Sequence, residues 1–116
     1  MSVYIEIEME KSTLIVRLQG ELDHHTSEKI REKIEKELEK GIAKNLLLNL
    51  EKLTFMDSSG LGMILGRYKK IRQLNGKMSI CCVRPSIYKI FELSGIFKIL
   101  PAYDNESDAL ESLGVA

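Results

Sequence analysis

The segment Val3-Tyr4-Ile5-Glu6-Ile7-Glu8-Met9-Glu10 alternates apolar and polar residues, the period of a half-buried strand. After Lys11-Ser12, Thr13-Leu14-Ile15-Val16-Arg17-Leu18 alternates again, and so short a gap reads as an antiparallel hairpin. Gly20 is expected to end the second strand. From Thr26 the period changes: Ile30, Ile34 and Leu38 recur every four residues among Lys, Arg and Glu. That is an amphipathic surface helix with a narrow apolar stripe. Asp23 or Thr26 is placed to cap its start, and Gly41 stands where a left-handed C-terminal cap belongs. The dense charges, with pairs such as Glu32 and Lys36, read as a solvated face.

Leu46-Leu47-Leu48-Asn49-Leu50 is nearly continuous in apolar residues, which suits a central strand covered on both faces. Leu61, Ile64, Leu65, Tyr68 and Ile71 fall at helical spacing, with Gly62 and Gly66 four apart on one side. Two glycines cost a helix about 1 kcal/mol each relative to alanine, so they suggest close packing or a partner surface. Asn75-Gly76 breaks this helix, and Met78 to Val83 form another strand. Pro85 opens a third helix with Ile87, Ile90 and Phe91 inward and Gly95 past its end. Phe97 to Leu100 are expected to make a short last strand stopped by Pro101. Asn105 then caps a final helix through Ala109, Leu110 and Leu113. The order ββαβαβαβα predicts one α/β domain over residues 1–116, a mixed sheet of four to five strands with about four helices.

Composition narrows the function classes. The 116 residues are 44% hydrophobic and 29% charged, and Lys plus Arg equal Asp plus Glu at 17 each. A net charge of zero argues against a general nucleic-acid binder and against an anionic membrane surface. No apolar run approaches the roughly 20 residues of a membrane span. The acidic, alternating start is unlike a signal peptide, so a cytoplasmic location is expected. Adjacent Cys81 and Cys82 in a strand are expected to point to opposite faces as unbridged thiols. His24 and His25 have no third ligand at metal spacing, and no phosphate loop or dinucleotide fingerprint is present. No cofactor is expected.

Asp57-Ser58-Ser59-Gly60 lies at a strand-to-helix junction. The first N–H groups of a helix have no intrahelical partner, and the backbone dipole there favours negative charge. A hydroxyl at this place serves as a cap, and a phosphate on it is accommodated by the same N–H groups. Taken alone, these four residues fit a plain N-cap by Asp57 or Ser58. A nucleophilic serine is a poorer fit, because Met56-Asp57-Ser58-Ser59-Gly60 lacks the first glycine of a hydrolase elbow and a base is wanting.

Gly20-Glu21-Leu22-Asp23-His24-His25-Thr26, Leu48-Asn49-Leu50 and Phe55-Met56-Asp57-Ser58-Ser59-Gly60-Leu61-Gly62 resemble the anti-sigma factor antagonists of spore-forming bacteria, within the STAS-domain family. Ile64-Leu65-Gly66-Arg67-Tyr68-Lys69 and Ser94-Gly95-Ile96-Phe97-Lys98-Ile99 are similar too. The resemblance runs over essentially the whole chain. It implies a STAS fold and a non-enzymatic switch protein whose unmodified form binds an anti-sigma factor and frees a sporulation sigma factor. It also implies that this partner is a serine kinase that phosphorylates Ser58, and that a metal-dependent phosphatase removes the phosphate. Asp23, Asp57, Ser58, Ser59, Gly60, Leu61 and Gly62 then form the partner-binding set. Asp57 orients the loop and supplies negative charge, and Ser59 is a cap or packing residue rather than a second acceptor. Gly60 and Gly62 leave room for the kinase or pack internally. Leu61 is either an exposed contact or core, and Asp23 either a contact or an N-cap. The alternative is a STAS module that binds a small molecule or nucleotide, or scaffolds a signalling assembly.

Overall fold

β1 (Val3–Glu10) and β2 (Thr13–Leu22) pair antiparallel across the Lys11–Ser12 turn, as the alternation predicts. In the computed structural model, which describes residues 2–115, α1 (His24–Glu39), β3 (Asn45–Met56), α2 (Ser58–Gln73), β4 (Met78–Cys81), α3 (Pro85–Ser94), β5 (Ala102–Tyr103) and α4 (Glu106–Ser112) follow. The five strands lie in chain order, with β2 to β5 parallel to one another. The order of strands and helices is the one the hydrophobic periods predict.

Side-chain parity explains the two layers. Leu14, Val16 and Leu18 of β2, Leu46, Leu48 and Leu50 of β3, and Met78 and Ile80 of β4 share one buried cluster with residues of α1, α2 and α3. The intervening Ile15, Leu47 and Cys81 point the other way and pack with Ala109 of α4 and with Leu113 just past its end. Leu46-Leu47-Leu48 reads as unbroken leucine because β3 is covered on both faces. Polar contacts also hold α4: Arg17 Nε and Nη2 donate to the two Glu106 carboxylate oxygens at 2.8 and 2.7 Å. Arg17 Nη1 reaches Glu6 and Glu8 at 2.7 and 2.9 Å, and Asn49 Nδ2 reaches Glu106 at 2.7 Å.

Several local expectations are corrected. β2 passes Gly20 and ends at Leu22, with register irregularities against β3 on either side of Gln19–Gly20. Phe97 to Leu100 are not a strand. Ser94 Oγ accepts the Ile96 N–H at 3.2 Å, Gly95 turns left-handed at φ 77°, and Ile96–Lys98 wind into a 3-10 turn. That turn buries Ile96 and Leu100 together in the core. A short apolar run does not by itself distinguish strand from helix, and the last strand forms only beyond Pro101, at Ala102–Tyr103. On α1 the charge pairs are Glu28–Arg31 and Glu37–Lys40, three residues apart, rather than Glu32–Lys36.

The cysteines depart from the strand geometry assumed for them. Cys82 lies past the end of β4 at φ 65°, so its side chain turns back and the two sulfurs stand 3.2 Å apart as free thiols. Burial holds the Cys81 thiol far above its ordinary range.

Candidate functional site

The site begins where β3 gives way to α2. Asp57 is the N-cap, in extended backbone, and its Oδ1 accepts the N–H groups of Ser59 at 2.9 Å and Gly60 at 3.2 Å. These are two of the first-turn donors that a helix leaves without internal partners. Capping is therefore the work of Asp57. Ser58, at the first helical position, is exposed, and its hydroxyl is not needed for the cap.

Neighbouring positions divide into packed and open ones. A Cβ on Gly60 would stand 2.6 Å from the Met56 Cγ and 3.0 Å from both the Leu22 Cγ and its carbonyl oxygen. Gly60 is thus a buried contact between the first turn of α2 and the end of β2, not an opening on the surface. Gly62 and Gly66 face space with nothing within 4 Å of an added Cβ, so of the two readings of that pair, close packing is set aside. Leu61 is half-buried against the rim of the core, and Ser59 is half-buried on the side toward α1.

The start of α1 lies beside that of α2. Leu22 pairs with Met56 in register, and the Asp57 N–H donates to the Leu22 carbonyl at 3.2 Å. Asp23 and Asp57 are therefore N-caps at equivalent places on neighbouring strands, followed at the first helical position by His24 and Ser58. Asp23 is buried and holds a capping box: its Oδ1 accepts from His25 N and Thr26 N, both at 2.9 Å, while Thr26 Oγ1 accepts the Asp23 N–H at 2.8 Å. The Thr26 backbone N–H, with further hydrogen bonds from the Thr26 hydroxyl and His25 N–H, holds this carboxyl below its ordinary range. Of the two roles expected for Asp23, the geometry supports the cap.

Between the two helices runs a groove of about 690 Å³, lined by His24, His25 and Glu28 on one side and by Ser59, Gly62 and Met63 on the other. Arg67 closes it. Its guanidinium is buried and paired with Glu35 of α1 at 3.1 Å, and desolvation pushes its pKa down. Sequence reasoning missed this residue. Of the residues at helical apolar spacing, Ile64 and Ile71 are buried and Leu61, Leu65 and Tyr68 pack half-buried against the core, while Gly60, Met63 and Arg67 are buried beside them. The spacing Gly60, Ile64, Arg67, Ile71 carried the signal, hidden because its members are a glycine and an arginine. Among the described residues no group of three or more His, Cys, Asp and Glu side chains is placed to hold a metal. No helix among them is long and apolar enough to cross a membrane.

The description of the STAS domain matches residues 4–109. The chain belongs to the STAS family. This STAS domain is 49% identical over 115 residues to the anti-sigma F factor antagonist of Paenibacillus polymyxa, covering 99% of this chain and 98% of that one. Among solved structures it is similar to the anti-sigma factor antagonist SpoIIAA in its unphosphorylated form, with a TM-score of 0.75 and 32% identity over 97% of this chain and 100% of that one. The Bacillus cell fate determinant SpoIIAA in the phosphorylated form is likewise similar, with a TM-score of 0.75 and 34% identity over 94% and 98% of the two chains.

Proposed function

We propose that this STAS domain is a non-enzymatic anti-sigma factor antagonist, switched off by phosphate on Ser58. The observation that carries the reading is the division of labour at the start of α2: Asp57 caps the helix and leaves the adjacent Ser58 hydroxyl exposed. Similarity to antagonists of the sigma F system, and to a relative solved in both unphosphorylated and phosphorylated forms, supports it. In this reading the unmodified domain binds a cytoplasmic anti-sigma factor that is also a serine kinase, which frees a sporulation sigma factor. The Ser58 oxygen attacks the γ-phosphorus of ATP held by that kinase, ADP leaves, and the hydroxyl proton passes to a base on the kinase. A phosphatase hydrolyses the phosphoserine and restores the antagonist.

The binding face comprises Ser58 with Leu61 and Gly62 on the open side of α2. Asp57, Ser59, Gly60 and Asp23 shape that face from beneath through the caps and the packing just described. A phosphoserine brings about −1.5 to −2 charges at neutral pH. At a helix start the dipole accommodates such charge to the extent of roughly 0.3–1 kcal/mol, so the fold survives. At an interface an unmatched charge costs several kcal/mol. The switch is therefore a local block of the binding face.

The test is a pull-down from extract of a spore-forming bacterium with and without ATP, with mass spectrometry of the recovered domain. The expected result is an anti-sigma factor captured without ATP, then released with ATP as 80 Da appears on the Ser58 peptide. Phosphate on a different residue, or release with no modification, contradicts the reading.

A further inference from the structure

Arg67 carries more positive charge into the protein than its one partner answers. Its guanidinium is buried where it closes the groove between α1 and α2. Nη2 meets Glu35 at 3.1 Å, while Nε and Nη1 are shut off from solvent and have no hydrogen-bond partner among the described residues. Burial lowers the pKa of this group by more than Glu35 raises it. Buried cations are ordinarily met by enough acceptors to use their N–H groups. Here an acceptor is wanting.

The facing wall shows the same deficit. Ser27 of α1 lines the groove, its side chain is buried, and its hydroxyl has no partner among the described residues. Unanswered donors from two different helices therefore border one groove. Lys29 stands exposed on its rim, and no ion pair among the described residues engages it. The carboxylates of the groove do not fill the gap. Glu28 is taken by Arg31, and Glu32 is exposed on the rim without a bond to Arg67.

A guanidinium, an ammonium and a hydroxyl together suit a doubly charged group with several oxygens, each able to accept more than one hydrogen bond. A carboxylate, with two oxygens, is matched by the arginine fork alone. The groove volume of about 690 Å³ falls within the roughly 300–1,000 Å³ of small-ligand sites. We propose that the α1–α2 groove binds a small phosphate-bearing molecule, its phosphate held by Arg67 Nε and Nη1, the Ser27 hydroxyl and Lys29. A turn of the guanidinium toward the groove presents those nitrogens while Nη2 stays with Glu35. The rest of the molecule lies over Gly62, where nothing stands within 4 Å of an added Cβ. Ser58 is not part of this lining, so the site and the switch are separate.

The experiment uses the full, unphosphorylated chain at about pH 7.5 and constant ionic strength, which holds general screening fixed. Proton–nitrogen spectra follow the Arg67 Nε–H, assigned by its loss in Arg67→Lys, and the Ser27 amide. Inorganic phosphate and glycerol 3-phosphate are the probes, with acetate and chloride as controls. The expected result is a saturable shift of both resonances with the two phosphates, at about millimolar affinity for the free ion. Tighter binding of the ester assigns the site to a phosphate monoester, and equal binding to the free ion. Acetate and chloride give no saturation. Lys29→Gln and Arg67→Lys each weaken binding by about threefold or more, and Glu32→Gln strengthens it. Should Arg67→Lys fail to fold, Lys29→Gln and Ser27→Ala carry the test through the Ser27-region and Arg67 signals. The absence of saturation overturns the proposal, as does an equal response to chloride. Saturable binding that these variants leave unchanged overturns it too.

Discussion

Asp57 caps α2 through the Ser59 and Gly60 N–H groups, and the cap makes no use of the exposed Ser58 hydroxyl. Replacing Asp57 with alanine removes the acceptor for two N–H groups, and such losses cost about 0.5–2 kcal/mol. Ser58→Ala removes nothing the fold uses. Urea denaturation is therefore expected to show a lower midpoint for Asp57→Ala and an unchanged one for Ser58→Ala; equal losses would contradict the assignment of the cap. The glycines separate in the same way. Gly60→Ala drives a methyl against Met56 and Leu22, and overpacking of this kind costs about 1–3 kcal/mol. Gly62→Ala meets open space and gains about 0.5–1 kcal/mol of helix propensity. Opposite signs of the change in thermal midpoint are the expected outcome. At the cysteines, burial and acidic neighbours disfavour the thiolate, which is the nucleophilic form. Maleimide at pH 7 is expected to label both thiols slowly in the native protein and quickly in denaturant; rapid native labelling would show a more open β4 end.

At the scale of elements, the parallel placing of α1 and α2 is what makes the site. Each helix follows a strand of the same sheet, and each starts with an aspartate cap at the same level. Much of this was legible. Alternation in β1 and β2 and the double-sided leucines of β3 reflect which faces are buried, so periodicity carried them. Asp23, Gly41, Gly95 and Asn105 mark helix ends because their side chains or left-handed backbones meet needs that few residue types meet. Less legible was anything depending on two elements at once. The stripe of α2 rotates toward Arg67 because Glu35 of α1 waits there, and Gly60 is small because Leu22 lies over it. Ile96 to Leu100 curl because the core receives Ile96 and Leu100 from one side, which strand propensity does not reveal.

At the scale of the whole molecule, α4 is the helix that, among the described residues, packs on the second face of the sheet, and Arg17 and Glu106 secure it. The Arg17 hydrogen bonds, with Asn49, hold the Glu106 carboxyl below its unfolded value of 4.5. A carboxyl held down in this way contributes stability that is complete above that value and is lost as the pH falls through the lower folded one. Glu106→Gln is thus expected to lower the urea midpoint at pH 7, with the difference from the parent protein narrowing below about pH 4. A difference that stayed constant from pH 7 to pH 3 would remove charge from the explanation.

In the proposed switch, phosphate on the exposed Ser58 at the start of α2 changes the surface without changing the fold. Calorimetric titration of the anti-sigma partner with unmodified and Ser58-phosphorylated protein, alongside amide spectra of both, tests this most directly. The account predicts a loss of affinity of a hundredfold or more, about 2.7 kcal/mol, with amide shifts confined to the starts of α1 and α2. Equal affinities, or shifts spread through β1, β4 and α4, would contradict it.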